Sequence, residues 1–248
     1  MIPSLVLAVR FLTIVPVPGP EAAGPGALGR AAWWFPVIGL ALGGALALAD
    51  RALLLVCPPL LGAGLLLSMW KIATGGIHLD GLADCLDGLG GGDRARRLAI
   101  MKDGRIGSFG AVGLVLSLVL AVAALAEMPS GARGRVLLLA PVTGRLAPLL
   151  IGPCFGPAGG GTGASFLAGM SRLAGPVWLG AAIALGVWLL GSWGPAVIAG
   201  ALLAVWLWSA FLARLFGGLT GDVLGSQVEL GELVVLLAVA ALAHRGLI

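Results

Sequence analysis

Charged residues are scarce in this sequence and tyrosine is absent. Only 10% of the 248 residues are charged, whereas a soluble domain of this length is about a quarter charged. The composition therefore excludes an ordinary soluble domain. The three cysteines lie far apart, which excludes a zinc site built from closely spaced cysteine pairs. The net charge of +4 comes from scattered basic residues, so we expect no nucleic-acid partner.

Apolar residues and glycine are abundant instead. Hydrophobic residues make up 59% of the chain, and the 42 glycines show no three-residue period, which excludes collagen. Glycine-rich apolar sequence is typical of helices that pack closely in lipid. We therefore predict an all-α, polytopic integral membrane bundle that forms one domain over residues 1–248, with membrane lipid as its surroundings.

Seven apolar runs approach the roughly 20 residues that a helix needs to span a bilayer. An Asp50-Arg51 pair is predicted to divide the first run from the second. Residues 2–18, with Arg10 and several prolines, predict a half-helix or an interfacial helix, and a full span is the alternative. Trp33, Trp34, Trp70 and Trp193 are interpreted as interface anchors. The seven runs cover 33–50, 52–72, 108–127, 135–153, 175–191, 195–214 and 230–247.

Counting these crossings predicts which segments share a side of the membrane. Residues 74–107, 154–174 and 215–229 fall on one side, and the short turns fall on the other. The first of these segments alone carries four arginines and a lysine. The excess of basic residues indicates that the long segments are cytoplasmic.

The stretch TGGIHLDGLADCLDG concentrates negative charge in an apolar chain. If the stretch is helical, Asp80, Asp84 and Asp87 fall within about 60° of one another on one face. Carboxylates this close repel unless a cation lies among them, and oxygen ligands suit Mg²⁺ or Mn²⁺. His78 projects to the opposite side of that helix. The alternative is that the aspartates simply solvate a loop, but acidic residues at a membrane boundary are usually functional.

Two further stretches carry charge beside glycine. In IMKDGRIGSFG, Lys102 and Arg105 precede a helix and predict a phosphate-binding turn, although basic residues on the cytoplasmic side look similar. In GGLTGDVLGSQVELGE, Asp222 and Glu229 share a helix face and are candidates for metal ligands or a general base. The alternative for that stretch is a glycine-rich loop with isolated acids.

A small-molecule or ion transporter is the competing class of function. Transporter acids usually lie near the bilayer midplane, whereas the stretches 112–126, 179–190 and 233–243 contain no charges. The acidic residues were therefore expected in segments on one side, which favours an enzyme that works at the membrane surface.

The three charged stretches, in this order, resemble the cobalamin synthase family, also called adenosylcobinamide-GDP ribazoletransferase or cobalamin-5′-phosphate synthase. Two N-terminal stretches, RFLTIVPVP and WWFPVIGLALG, resemble the same family, so the resemblance covers the whole chain. Ser226 and Gly104 depart from the family pattern without removing a charged group. The DGLAD pattern is also similar to CDP-alcohol phosphotransferases, but their full signature spacing is absent, and such an enzyme stays an alternative.

The resemblance implies a reaction and its participants. The ribose 3′-hydroxyl of α-ribazole, or of its 5′-phosphate, attacks the phosphorus next to the cobinamide of adenosylcobinamide-GDP, and GMP leaves. The family uses Mg²⁺ and lies in the cytoplasmic (inner) membrane, here with the active site facing the cytoplasm. Whether the chain forms a homo-oligomer stays open. Matching the motifs gives metal ligands Asp80, Asp84 and Asp87, catalytic residues Asp222, Glu229, Lys102 and Arg105, and cofactor-binding residues His78, Asp103, Gly107 and Thr220.

Overall fold

The computed structural model describes residues 2–20 and 24–248, which form twelve α-helices. Within those ranges the β-structure is a single isolated bridge, between Pro157 and Leu219. Two short 3₁₀ turns, Ala32–Trp34 and Gly152–Cys154, join helices. The helices are α1 (Ile2–Leu12), α2 (Ala27–Ala31), α3 (Phe35–Val56), α4 (Pro59–Ala73), α5 (Ile77–Gly88), α6 (Arg94–Met101), α7 (Ser108–Glu127), α8 (Ser130–Ile151), α9 (Thr162–Gly169), α10 (Ala174–Leu190), α11 (Trp193–Phe216) and α12 (Gly221–His244).

Five helical elements are long and apolar enough to cross a membrane. They are α2 with α3, α7, α8 with its 3₁₀ turn, α11 and α12. The pairs α4–α5 and α9–α10 bend by 90° and 86°, and counting each pair as one span gives seven. The predicted all-α membrane bundle is confirmed. Helix α1 has only 11 residues, which fits the half-helix or interfacial interpretation of the N-terminal segment.

Helix α8 lies at the centre of the bundle. It is the most deeply buried of the five elements and packs against α3, α10, α11 and α12. Pro141 and Pro148 lie inside it and leave backbone carbonyls without their usual intrahelical donors. Such interruptions are tolerated in a membrane helix where it is enclosed by neighbouring helices. In contrast, α7 and α11 expose rows of Val, Leu, Trp and Phe, as lipid-facing helices do.

The helix ends nearest the predicted site meet at one end of the bundle. The starts of α3 and α12, the end of α8, and helices α5 and α9 all contribute to one cavity there. The predicted clustering of residues 74–107, 154–174 and 215–229 at one end is therefore present in the structure. The 90° bend after α4 turns α5 away from the membrane-crossing direction, and we place α5 outside the spanning helices.

The first two apolar runs do not divide at Asp50-Arg51, so that prediction is wrong. Helix α3 continues to Val56, because Asp50 is buried and its charge is paired with the buried Arg133 of α8. The break comes at Cys57-Pro58. Proline lacks the N–H that would continue α3, and Pro59 then occupies the first turn of α4, where proline is tolerated.

Two other expectations are corrected. The last helix begins at Gly221 rather than near residue 230, because the Thr220 hydroxyl caps it by accepting from the Val223 N–H at 3.2 Å. Glu229 and Glu232 are therefore inside a buried helix and not in a loop. Trp70 is fully buried and carries the Lys71 ammonium 5.0 Å from its ring centroid, so it is not an interface anchor.

The Asp50–Arg133 pair generates a stability prediction. Arg133→Ala leaves a buried carboxylate without its partner, and we expect it to lower the free energy of unfolding by about 3–5 kcal/mol. Arg135→Ala is the matched control, since Arg135 is exposed two residues away on the same helix. Unfolding in detergent, followed by circular dichroism, measures both. Equal effects of the two substitutions would contradict a stabilising role for the pair.

Candidate active site

Helix α5 crosses α12 at very short range. At Gly81 an added Cβ would lie 2.7 Å from the Asp222 carbonyl oxygen and 3.0 Å from its Cα, closer than real Cβ contacts allow. One turn further along α12, a Cβ at Gly225 would lie 3.5 Å from His78 Cα, an ordinary contact. Small residues at a crossing let helix backbones approach closely. Two motifs about 140 residues apart are thereby brought together.

Three carboxylates converge beside this crossing. Asp80 and Asp84 lie on α5, and Asp222 lies in the first turn of α12. Partial burial, together with the nearby charges of Asp80, Asp222 and Asp87, raises the pKa of Asp84 to about 6. Neighbouring anions disfavour the ionised form of a carboxyl group, so such a group binds a cation or a proton more readily. Thr220 adds a hydrogen bond from its hydroxyl to Asp222 Oδ2 at 3.3 Å.

A polar cleft of about 730 Å³ opens on one side of these carboxylates. Asp80 and Asp84 line one wall, and the turn between α6 and α7 supplies the other wall with Lys102 and Arg105. The exposed Arg105 forms a bidentate pair with Asp103, with nitrogen–oxygen distances of 3.0 and 2.7 Å. That pair lowers the pKa of Asp103, chiefly through its hydrogen bond from Arg105. Lys102 is an exposed cation on the same wall.

A second, mainly apolar cavity of about 230 Å³ lies on the other side. Phe11, Phe35 and Phe166 contribute aromatic surface, and Asp80 and Asp222 line it as well. Asp80 therefore borders both the polar cleft and the apolar cavity. The buried His78 also lines this cavity, and burial, with Arg145 and Lys71 nearby, holds its pKa well below the usual range.

Asp87 has a different set of contacts from the other two aspartates of the motif. Its Oδ2 accepts from the Gly107 N–H at 2.7 Å, and its Oδ1 accepts from the Gly110 N–H at 2.8 Å. It is buried and lines neither the cleft nor the apolar cavity. These are the contacts of a carboxylate that caps the N-terminus of α7. Asp87 and Gly107 thus fix the position of the basic turn that precedes α7, and of the three predicted metal ligands only Asp80 and Asp84 remain candidates.

Glu229 is likewise turned away from both cavities. Its Oε2 accepts from Lys71 Nζ at 2.6 Å, and Lys71 also bridges to Glu232 Oε2 at 3.0 Å. Glu232 in turn pairs with Arg145 of α8. All four side chains are buried or nearly so. A carboxylate that is held in a buried ion pair is a poor general base. The remaining candidates for metal ligands and for the general base are Asp80, Asp84 and Asp222.

This buried ion network was missed in the sequence. Lys71 stands three residues before the TGGIHLDG motif, and Arg145 stands inside the apolar run 135–153. The available signal was that a charged residue within a membrane run faces a partner or a cavity. Glu229 and Glu232 are spaced to meet such partners from one helix face.

The carboxylates at the crossing of α5 and α12 fit a hard cation that also takes ligands from water and substrate phosphates. No group of three or more His, Cys, Asp or Glu within residues 2–20 and 24–248 is arranged to hold a metal ion by itself. Mg²⁺, however, is usually bound by one or two carboxylates together with waters and substrate phosphates. Asp80 and Asp84 on the wall of an open cleft, opposite basic residues, match that mode of binding.

Comparison with known proteins gives consistent matches. A family model described as Cobalamin-5-phosphate synthase matches residues 4–240. Proteins named adenosylcobinamide-GDP ribazoletransferase are similar over nearly the full length. The one from Ectopseudomonas mendocina is 42% identical over 94% of this chain and 97% of its own length, and the one from Pseudomonas paraeruginosa is 43% identical over 96% and 97%. No solved structure matches the chain.

The helix crossing generates a prediction with an internal control. Gly81→Ala should force α5 away from α12 and lower the melting temperature in detergent, although alanine favours a helix by about 1 kcal/mol relative to glycine. Gly225→Ala on the partner helix should be neutral or slightly stabilising, because its new methyl group makes only ordinary contacts. A destabilisation of the same size in both variants would show that the close approach at Gly81 does not hold the crossing.

Proposed function

The chain belongs to the cobalamin-5-phosphate synthase family, and we propose that it catalyses the reaction for which its relatives are named. The reaction joins adenosylcobinamide-GDP to α-ribazole or its 5′-phosphate. The observation that carries the proposal is that Asp80, Asp84 and Asp222 lie between an apolar cavity and a polar cleft that carries Lys102 and Arg105. A transferase needs two substrates side by side, and this arrangement offers two adjoining chambers.

The chemistry is a phosphoryl transfer in which one bond forms and one breaks. A ribose hydroxyl oxygen of the acceptor bonds to the phosphorus attached to the cobinamide. The bond from that phosphorus to the oxygen bridging to GMP breaks, GMP leaves with the electron pair, and the hydroxyl proton passes to a base. Catalysis of such a step rests on holding the groups in line and neutralising charge on the phosphate oxygens.

The residues of the polar cleft suit the diphosphate. Lys102 and Arg105 lie on the wall opposite Asp80 and Asp84. Arginine binds phosphate through paired N–H donors, and Arg105 is already held in a defined position by Asp103. Asp80 and Asp84 are the residues that would hold Mg²⁺ against the diphosphate. That ion, when bound, supplies positive charge that offsets the charge developing on the leaving group.

Asp222 and Asp80 are the candidates for the base that receives the hydroxyl proton. Both line the apolar cavity, so both face an acceptor bound there, and Asp80 also faces the cleft. Asp222 is held by the Thr220 hydroxyl, which fixes its carboxylate for that role. We assign Asp222 as the base, because Asp80 has the neighbouring Asp84 with which to share a cation.

We place the active site at the cytoplasmic face of the inner membrane. Most basic residues outside the spanning helices lie at the site end, in α6 and in the turn before α7, whereas the opposite end carries few. That distribution follows the positive-inside rule. Phosphorylated nucleotide substrates are also found in the cytoplasm, which supports the same orientation.

A transporter remains the alternative function, favoured by one observation. The buried network of Lys71, Arg145, Glu229 and Glu232 puts charge inside the bundle, outside the three stretches that carry none. Its members, however, are paired with one another, and the cavity beside them is only about 10 Å³. Release of GMP by purified protein in detergent separates the two functions, because transport requires a sealed vesicle.

Removing one carboxylate tests the metal-binding role. Asp84→Asn keeps the shape of the side chain and removes its charge, and we expect at least a tenfold loss of Mg²⁺-dependent GMP release. Asp93→Asn is the control, since Asp93 caps α6 by accepting from the Arg96 N–H and asparagine caps equally well. Activity of Asp84→Asn within about threefold of the unmodified protein would contradict the metal role.

Single cysteines test the orientation. In a background whose three native cysteines are replaced by serine, Ala95→Cys and Gly160→Cys should react with an impermeant maleimide only in inverted membranes. Gly131→Cys should react in intact spheroplasts, because it lies at the opposite end of the bundle. Labelling of positions 95 and 160 from opposite sides would contradict the shared end, and labelling of both in spheroplasts would reverse the orientation.

A further inference from the structure

Among the described residues that line the apolar cavity there is no lysine or arginine to bind a diphosphate, and its lining indicates another occupant. Three phenylalanine rings form its aromatic surface. Phe11 and Phe35 are stacked with centroids 5.8 Å apart, and Phe35 and Phe166 lie 6.0 Å apart at 42°. Leu28, Leu224 and Val228 add aliphatic surface. Such a lining favours a flat, uncharged aromatic group.

The size of the cavity excludes most parts of the two substrates. Pockets that enclose a whole drug-sized ligand measure roughly 300–1,000 Å³. At about 230 Å³ this cavity holds a fragment such as two fused rings, and a corrin macrocycle is far too large for it. Guanine has the right size, but its edge carries several donors and acceptors. The polar side chains of the lining are His78, Asp80, Thr162 and Asp222, and the two carboxylates cannot donate to the acceptor atoms of guanine, so part of its edge would stay unpaired.

One buried polar atom in the lining lacks a partner. His78 is 4% exposed, and its Nδ1 has no hydrogen-bond partner among the described residues. Leaving such an atom unpaired is costly, so buried polar atoms without partners call for an explanation. A neutral imidazole can donate one hydrogen bond from this nitrogen, and a rotation of the ring would turn the nitrogen towards an acceptor atom on a ligand in the cavity.

We propose that this cavity is the subsite for the base of the acceptor nucleoside, and that His78 recognises the base by donating a hydrogen bond to its unsubstituted ring nitrogen. The inference rests on the proposed function. The base of α-ribazole is a benzimidazole with two methyl groups, which is flat, apolar and carries one free acceptor nitrogen. The three rings match its faces and His78 matches its single polar atom.

The same placement orients the ribose. Asp80 and Asp222 line this cavity too, and Asp80 continues into the polar cleft. A nucleoside whose base lies among the phenylalanines therefore directs its ribose hydroxyls towards these carboxylates and the diphosphate beyond them. His78 is thus a specificity residue for the acceptor, and it touches the base rather than the reacting atoms.

A matched pair of ligands tests the hydrogen bond without altering the protein. The α-riboside of 5,6-dimethylindole has the same shape as the benzimidazole riboside but carries a C–H in place of the acceptor nitrogen. Isothermal titration calorimetry of the purified protein in detergent should show the benzimidazole riboside binding about tenfold more tightly. Equal affinity for the two ribosides, or binding of neither, would overturn the inference.

Variants of His78 complete the test. His78→Leu should abolish the preference between the two ribosides, and His78→Asn, which keeps a donor near the position of Nδ1, should restore part of it. His244→Leu is the matched control, because the other histidine is exposed at the far end of the bundle. A preference that survives unchanged in His78→Leu would overturn the assignment of His78.

Turnover distinguishes failure of this inference from failure of the proposed function. In an assay with both substrates, His78→Leu should raise KM for α-ribazole about tenfold. KM for adenosylcobinamide-GDP should stay within about twofold of that of the unmodified protein. A rise confined to the KM of adenosylcobinamide-GDP would assign the cavity to that substrate, and the proposed function would stand. His78-dependent riboside binding without GMP release would uphold the subsite and contradict the transferase.

Discussion

The crossing of α5 over α12 is the contact on which the site depends. Gly81 lets the Asp222 backbone approach to a distance that any side chain would prevent, whereas a methyl group at Gly225 would make only ordinary contacts with His78. That approach brings Asp80 and Asp84 of α5 near Asp222 of α12. The crossing also joins the two chambers, since Asp80 stands where the polar cleft and the apolar cavity meet.

Charged residues in this structure are of two kinds, buried pairs and cleft-facing charges, because an unpaired charge is costly in the low dielectric of the membrane. Inside the bundle, charges occur as buried pairs or networks, such as Asp50 with Arg133 and Lys71 with Glu229. An isolated charge there would be costly, so pairing is a condition for being buried. At the site end, Asp80 and Lys102 line the cleft and form no ion pair with any of the residues that the structure describes. Charges that remain unpaired in so apolar a chain are the ones available to substrates.

The sequence predicted the class of fold and the shared helix face of Asp80 and Asp84 because both depend on local patterns. Apolar runs give spanning helices, and the spacing of Asp80 and Asp84 gives a shared helix face. The errors arose where a distant partner decides the outcome. Asp50 was interpreted as a helix break because Arg133 lies 83 residues away, and Glu229 was taken for a base because its pairing with Lys71 is visible only in three dimensions. The spacing also groups Asp87 with the other aspartates, but its carboxylate accepts hydrogen bonds from the backbone amides of Gly107 and Gly110.

The division into a polar and an apolar chamber suits the chemistry of the two groups that are to be bound, a diphosphate and the base of the acceptor. A diphosphate needs cations and water, whereas a benzimidazole gains from leaving water, and one chamber cannot favour both. The membrane surface offers both environments within a few residues, because α5 lies at the boundary between the buried bundle and the exposed turn before α7. A soluble protein would have to build an apolar pocket of this kind from its own core. Here the hydrophobic helix ends already supply the apolar pocket. The tight crossing of α5 and α12 then places the carboxylates between that pocket and the polar cleft.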